Sequence, residues 1–281
     1  MTRNTQDKSK ESKTHLDDFR SWLEQRHMAE STIHAYSFAV EQFFSLYDTP
    51  SFKNLQLYKC FLLEHYKPQT VNLRIRALNC FLEHEKITDC HLTMLKLQQK
   101  TFLDNVISQA DYEYLKQCLL RDGNKQYYFI VRYMAATGVR VSELVRFQVE
   151  DVRRGRMDLL SKGNKVRRIY IPKSLRKDTL TWLEQEERSR GPLFLNRFQA
   201  PITPAAIRGQ LYKFHGLYGL DEKVLHPHAF RHRFAKNFID ACGDISFLSD
   251  LLGHQTIETT RIYLHRSRAE QQVIVNQVVN W

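Results

Sequence analysis

Four successive stretches of apolar residues at helical spacing, all in the first third of the chain, constrain the fold more than any other feature. Leu16, Phe19, Trp22 and Leu23 make one face, and Tyr36, Val40, Phe43, Phe44 and Tyr47 make a second. Residues 55–66 continue the pattern, and 70–84 close it with Val71, Ile75, Leu78, Phe81 and Leu82. Apolar side chains three or four positions apart share one side of a helix and need a partner surface to cover them. Pro50 and Pro68 stand at breaks between segments, where helices stop or start. The spacing predicts a four-helix unit over about residues 14–90, in which these stripes are core and not platforms for stacking bases.

The rest of the chain reads differently. Residues 1–13 are polar throughout and are expected to be disordered, with no apolar segment of a signal peptide. At 281 residues the chain fits two domains of about 150 residues each. The first is placed at 14–98 and a linker at 99–107; the second begins at Ser108, whose hydroxyl can cap a helix with Asp111 three residues on. Within 108–265 the helical pattern gives way to two short β-type runs, 156–160 and 166–171, around Ser-Lys-Gly-Asn, a hairpin with a basic turn. Helices resume over 174–190, after Thr203-Pro204, and near Pro227, Ile245 and Thr256. The tail, 266–281, carries Val273, Ile274, Val278, Val279 and Trp281 with no obvious partner of its own. The expected fold is mainly α: a four-helix N-terminal domain and a C-terminal mixed α+β domain with a small β-hairpin.

Charge is distributed unevenly. Residues 1–107 hold 14 Lys+Arg against 13 Asp+Glu, whereas residues 108–281 hold 28 against 18, so nearly all of the net +11 lies in the second part. Within 151–177 ten basic residues meet two acids, a density that suits a polyanion such as nucleic acid, with a merely solvated basic surface as the alternative. The five cysteines form no CxxC pair and their odd number leaves at least one unpaired, which fits reduced thiols in the cytoplasm with no chemical role. No run of about 18 apolar residues is present to span a membrane.

Breaking a phosphodiester without a metal requires cationic donors on the non-bridging oxygens, a nucleophile, and a proton source for the leaving oxygen. Arginine suits the first task because its planar fork grips phosphate bidentately and keeps its charge. TGVRVSEL places Arg140 after a Thr-Gly turn; HPHAFRH sets His228 and Arg231 three apart on a helix, hence on one side; LLGH supplies His254; and Tyr263 follows nine residues later in TTRIYLH. Singly, each is an ordinary surface or core residue.

Taken together, TGVRVSEL, SKGNKVRRIYIP, HPHAFRH, LLGH and TTRIYLH resemble, in order and spacing, the catalytic boxes of the tyrosine recombinase/integrase family, with the Xer-type recombinases most similar. The four-helix region resembles the core-binding domain of that family by pattern alone. The resemblance implies that Tyr263 forms a 3′-phosphotyrosyl bond, that Arg140 and Arg231 clamp the scissile phosphate, and that Lys162 protonates the leaving oxygen. It implies acid/base transfer by His228, a hydrogen bond from His254 to the phosphate, and a supporting role for Glu143. It also implies DNA contacts from Lys67, Gln69, Arg74 and Arg76, from Lys165 and Arg167 on the surface of the hairpin beside Arg168, and from Arg208 and Lys213. His232 and Arg233 are expected to face the core or the DNA backbone. Ser161, His226 and Asp250 depart from the family pattern without removing a catalytic group.

A phenol with an ordinary pKa of about 10 needs cations and a base to attack at neutral pH, and the residues named supply both. No cofactor or metal is implied, because a phosphotyrosyl link conserves bond energy; the histidines could in principle bind metal, but no CxxC, HExxH or paired carboxylate motif accompanies them. The implied partners are double-stranded DNA with inverted core sites and further copies of this chain, four in the synaptic complex, linked by docking of the 266–281 tail on a neighbour. Resolution of dimers or cointegrates and integration of a mobile element are equally open. The alternatives are a type IB topoisomerase-like enzyme and a catalytically silent DNA-binding accessory protein.

Overall fold

The computed structural model describes residues 4–97, 105–160, 166–254, 256–264, 275, 276 and 279, and divides the chain into two units, 1–99 and 100–281. In the first, the described residues form α1 (Asn4–Gln25), α2 (Glu30–Leu46), α3 (Phe52–His65) and α4 (Pro68–His84). The helix α1 reaches back into the stretch expected to be disordered; Lys, Glu, Gln and Ser follow one another there with no Gly or Pro to break a helix. Ser51 caps α3 by accepting the Asn54 N–H at 3.3 Å, and Pro68 opens α4, where its missing N–H costs nothing. The four apolar stripes meet in one core of Phe19, Leu23, Val40, Phe43, Leu62, Ile75, Leu78 and Phe81 among others.

Two asparagines on α4 then hold the chain that follows. Asn72 exchanges bonds with both the N–H and the carbonyl of Leu95 (2.7 and 2.9 Å), and Asn79 does the same with Leu92 (2.9 and 2.9 Å). An amide side chain can satisfy a peptide group in both directions, so the segment is stitched to the helix without a strand.

The second unit opens with α5 (Gln109–Arg121), capped by Ser108 accepting the Asp111 N–H at 3.0 Å, and continues with α6 (Lys125–Thr137), α7 (Val141–Leu144) and α8 (Val149–Arg154). The strands β1 (Arg156–Leu160) and β2 (Val166–Tyr170) pair antiparallel, with Asp158 opposite Arg168 and Leu159 opposite Arg167. After them come α9 (Lys173–Gln185), α10 (Pro204–Tyr218), α11 (Pro227–Cys242), α12 (Ile245–Leu252), α13 (Glu258–Arg261) and a 3₁₀ turn, Ile262–Leu264. Thr203 caps α10 by accepting the Ala206 N–H. The architecture is mainly α with a two-stranded sheet. A large core spans α5 to α11, with Tyr133, Phe147, Phe194, Phe214 and Phe230 buried in it, and a smaller cluster of Ala235, Ile239, Leu248, Leu252 and Tyr263 joins α11, α12 and the 3₁₀ turn. Of the tail only Val275, Asn276 and Val279 are described, so its expected docking lies outside the described residues. Among the described residues no helix is long and apolar enough to cross a membrane.

Candidate active site

Gly138 ends α6 with φ +63°, and a Cβ there would overlap the Phe234 ring, so the turn accepts only glycine. Its consequence is the placement of Arg140, the residue that caps α7. The Glu143 carboxylate accepts the Arg140 N–H at 2.8 Å with one oxygen and Arg140 Nη1 at 2.9 Å with the other. Arg140 Nη2 donates to the Gly253 carbonyl at 3.3 Å, and two-fifths of the side chain stays exposed.

Arg231 approaches the same turn from α11 and is buried, with 4% of its surface exposed. Its Nη1 donates to the Gly138 carbonyl at 2.6 Å and its Nη2 to the Leu252 carbonyl at 2.7 Å, which satisfies the ends of α6 and α12 with one charge. Nη2 also lies 3.0 Å from His254 Nε2. Because a guanidinium can only donate, that nitrogen accepts; the proton of the neutral ring then sits on Nδ1, 2.7 Å from Thr260 Oγ1. Arg140, Arg231 and His254 thus converge on the turn 251–254.

Arg167 completes the cluster and corrects the sequence reading. It was expected on the hairpin surface as a DNA contact, yet it is buried: strand alternation puts it on the inner face with Ile169. It donates to Glu143 at 2.8 Å and to the Leu251 carbonyl at 2.8 Å. Gly253, at φ +63°, makes room for it, since a Cβ there would meet Arg167 Cδ at 2.5 Å. Its neighbour Arg168 does lie on the outer face, paired with Asp158 at 2.7 Å.

Two guanidinium groups, those of Arg140 and Arg167, therefore share one carboxylate, and the charge of Arg231 stands near it. Burial acts to raise the Glu143 pKa, but the Arg167 charge and the bonds from Arg140 outweigh it and hold the carboxyl below its ordinary value. Burial, together with the charges of Arg140 and Arg167, brings Arg231 down to about 10, still cationic at neutral pH. Burial and the same three arginines push His254 down to about 4, so its ring is neutral. The net charge left is positive, as an anion site requires. A groove of about 1080 Å³ adjoins it, with Arg140, Arg146, Arg167, Leu160, Phe247 and His254 in its walls.

Tyr263 packs with its ring in the small apolar cluster, 6% exposed, and burial raises its pKa against the opposing charge of Arg231. Its hydroxyl lies 2.8 Å from His232 Nδ1. His232, expected to face the core or the DNA backbone, stands beside Tyr263. Burial, then His228, His226 and Arg231, push His232 down to about 4. His228, one helical turn earlier, is exposed, its ring centroid 6.3 Å from that of His232. Partial burial and the charge of Arg231 lower its pKa, with smaller effects of His226, Arg140 and Arg208. Arg233 points inward and donates to the Ile107 carbonyl at 3.1 Å.

Lys162 and Lys165 fall outside the described residues. Arg208 and Lys213 are exposed on α10. In the first unit Lys67, Gln69 and Arg76 are exposed, while Arg74 is half-buried with its guanidinium 4.4 Å from the Phe38 ring centroid. Among the described residues no group of three or more His, Cys, Asp or Glu is placed to hold a metal ion.

Comparison with known proteins sharpens this picture. The model of the phage integrase family matches residues 105–270. A tyrosine recombinase of Agathobacter rectalis is 27% identical over 299 aligned positions, covering 94% of this chain and 96% of the relative. Tyrosine recombinase XerC of Pseudomonas aeruginosa is 36% identical over 135 positions, 46% of this chain and 44% of XerC. Among solved structures, the Tn1549 transposon integrase in complex with transposon right end DNA shares the fold with a TM-score of 0.74, over 95% of this chain and 99% of that one, at 16% identity.

Proposed function

Because this chain belongs to the phage integrase family and is a tyrosine recombinase, an enzyme that cleaves and rejoins DNA, we propose that Tyr263 is its nucleophile and forms a 3′-phosphotyrosyl link. The observation that carries the assignment is the gathering of Arg140, Arg231 and His254 on one turn, with Tyr263 on the 3₁₀ turn packed against α11. In this reading the exposed fork of Arg140 and the guanidinium of Arg231 hold the non-bridging oxygens of the scissile phosphate, and His254 bonds the same group in its other tautomer, with Nδ1 accepting from Thr260 and the proton on Nε2. Such fixed donors act where charge builds in the transition state and need no rearrangement when it forms. Glu143 holds Arg140 in place. Lys162 is the general acid for the 5′ oxygen, and His228 exchanges protons at the rim.

The substrate is double-stranded DNA with inverted core sites. Lys67, Gln69, Arg74 and Arg76 in a core-binding domain of residues 14–98, and Lys165, Arg208 and Lys213 in a catalytic domain of 108–265, contact it; Arg167, being buried, does not. Four copies assemble on two duplexes, each docking its tail, 266–281, on a neighbour, and the enzyme acts in the cytoplasm on dimers, cointegrates or a mobile element. A nicked duplex that loses its short end after cleavage traps the covalent complex. Wild type is expected to accumulate a protein–DNA adduct and Tyr263→Phe none; no adduct from wild type overturns the proposal. Joining of strands between two duplexes separates recombination from the relaxation of a single one.

A further inference from the structure

The hydroxyl of Tyr263 has one imidazole within hydrogen-bonding distance among the described residues, and it is not that of His228. His232 Nδ1 stands 2.8 Å from it, with ring centroids 5.7 Å apart. We propose that His232 is a catalytic residue: it takes the phenolic proton of Tyr263 during cleavage and returns it during rejoining. The inference rests on the reading of Tyr263 as nucleophile and adds the base.

Position, protonation and restraint all favour the role. His232 follows Arg231, which is fixed at both ends by the carbonyls of Gly138 and Leu252, so α11 cannot rotate His232 away from the 3₁₀ turn without breaking those bonds. Tyr263 is held by the apolar cluster around it, with Ile239, Leu248 and Leu252. The groups that face His232 are His226, His228 and Arg231 on its own helix, His254 from beyond α12, and Tyr263 itself. Burial, with His228, His226 and Arg231, keeps the ring neutral at neutral pH, leaving Nδ1 free to accept from a phenol whose pKa burial raises. The negative charge of a bound phosphate offsets the arginines and makes the imidazolium easier to form.

The step balances as follows. Tyr263 Oη forms a bond to phosphorus, its proton passes to His232 Nδ1, and the bond from phosphorus to the 5′ oxygen breaks, that oxygen taking a proton from the general acid. In rejoining, the 5′-hydroxyl returns its proton to that acid's conjugate base as it attacks phosphorus. The Tyr263 Oη–phosphorus bond then breaks, and His232 gives its proton back to the phenolate. His228, exposed a turn away, is left to relay protons between His232 and solvent.

The test uses the full chain and single-turnover adduct formation on a nicked duplex, whose core sequence the protein has selected from a random pool, from pH 6 to pH 10. Two variants are compared, His232→Ala and His232→Asn; asparagine keeps a hydrogen-bonding group near the place of Nδ1 but takes no proton. Removing a general base costs about 100-fold or more. At pH 7 both variants are expected to lose that much, the loss shrinking toward pH 10 as hydroxide replaces the base. Fluorotyrosine at position 263, a more acidic phenol, is expected to restore the variants' rates more than it raises that of wild type. An equal fractional loss at every pH with no fluorotyrosine gain overturns the role and leaves His232 as packing. If His232→Ala does not fold, His232→Asn, checked for wild-type DNA affinity and melting, carries the comparison. An adduct that persists in Tyr263→Phe overturns the reading of Tyr263; its loss there, with His232→Asn keeping the wild-type profile, overturns only the role of His232.

Discussion

Arg167 and Glu143 form a buried ion pair at 2.8 Å, and through it a strand of the hairpin sets the geometry of Arg140 on a different element. Glu143 divides its two oxygens between Arg167 and the main chain and side chain of Arg140. Truncating one member of a buried pair leaves the other charged and unpaired, at about 3–5 kcal/mol. Glu143→Ala is expected to lower unfolding stability by that order in urea titrations and to abolish adduct formation. A loss under about 1 kcal/mol, on the scale of an exposed pair, would contradict the account.

The turn at Gly138 sets a second prediction. Alanine there meets both an unfavourable φ and the Phe234 ring, so Gly138→Ala is expected to destabilise the protein by about 2 kcal/mol or more. It also shifts the carbonyl that Arg231 grips, so cleavage falls further than DNA binding does. Gly123→Ala, at φ +71° but with nothing within 4 Å, is the control: it meets the backbone cost alone. Matching losses of stability and cleavage for the two variants would refute the steric argument.

Acid is expected to destabilise the site before it reaches the carboxylates. His232 and His254 are pushed down to about 4, against about 6.5 in an unfolded chain, so each takes up a proton more readily unfolded than folded. Their contribution is complete above about pH 6.5 and drains away as pH falls toward 4. The midpoint of urea unfolding should decline across that window, and less steeply in His254→Gln. A midpoint constant from pH 7 to pH 5 would be inconsistent with two buried neutral imidazoles.

Much of this was legible in the sequence. The apolar stripes located the helices of the first unit, and the order of the motif boxes brought Arg140, Arg231, His254 and Tyr263 to one region. The charge of Arg167 points to the surface, but its register points inward. Ile169 had to face inward, strand side chains alternate, and Arg167 therefore faces inward too. His232 carried a comparable signal, four positions after His228 and hence on its side of the helix, but nothing in the sequence told how near the 3₁₀ turn would come. The amide stitching by Asn72 and Asn79 had no pattern to announce it, since it depends on where the following segment passes.

The assignment of Lys162 is testable through its leaving group. If it protonates the 5′ oxygen, Lys162→Ala is expected to lose at least about 100-fold on an ordinary nicked duplex. With sulfur at the bridging 5′ position, a better leaving atom that needs no proton, most of the rate should return. Equal losses on both substrates would remove Lys162 from the acid role.

The central claim is that Tyr263 bonds to DNA, and peptide mapping of the trapped adduct tests it most directly. After nuclease and protease digestion, mass spectrometry is expected to find the nucleotide remnant on Tyr263, joined through a 3′ phosphate. A remnant on any other residue, or a 5′ linkage, would contradict the account.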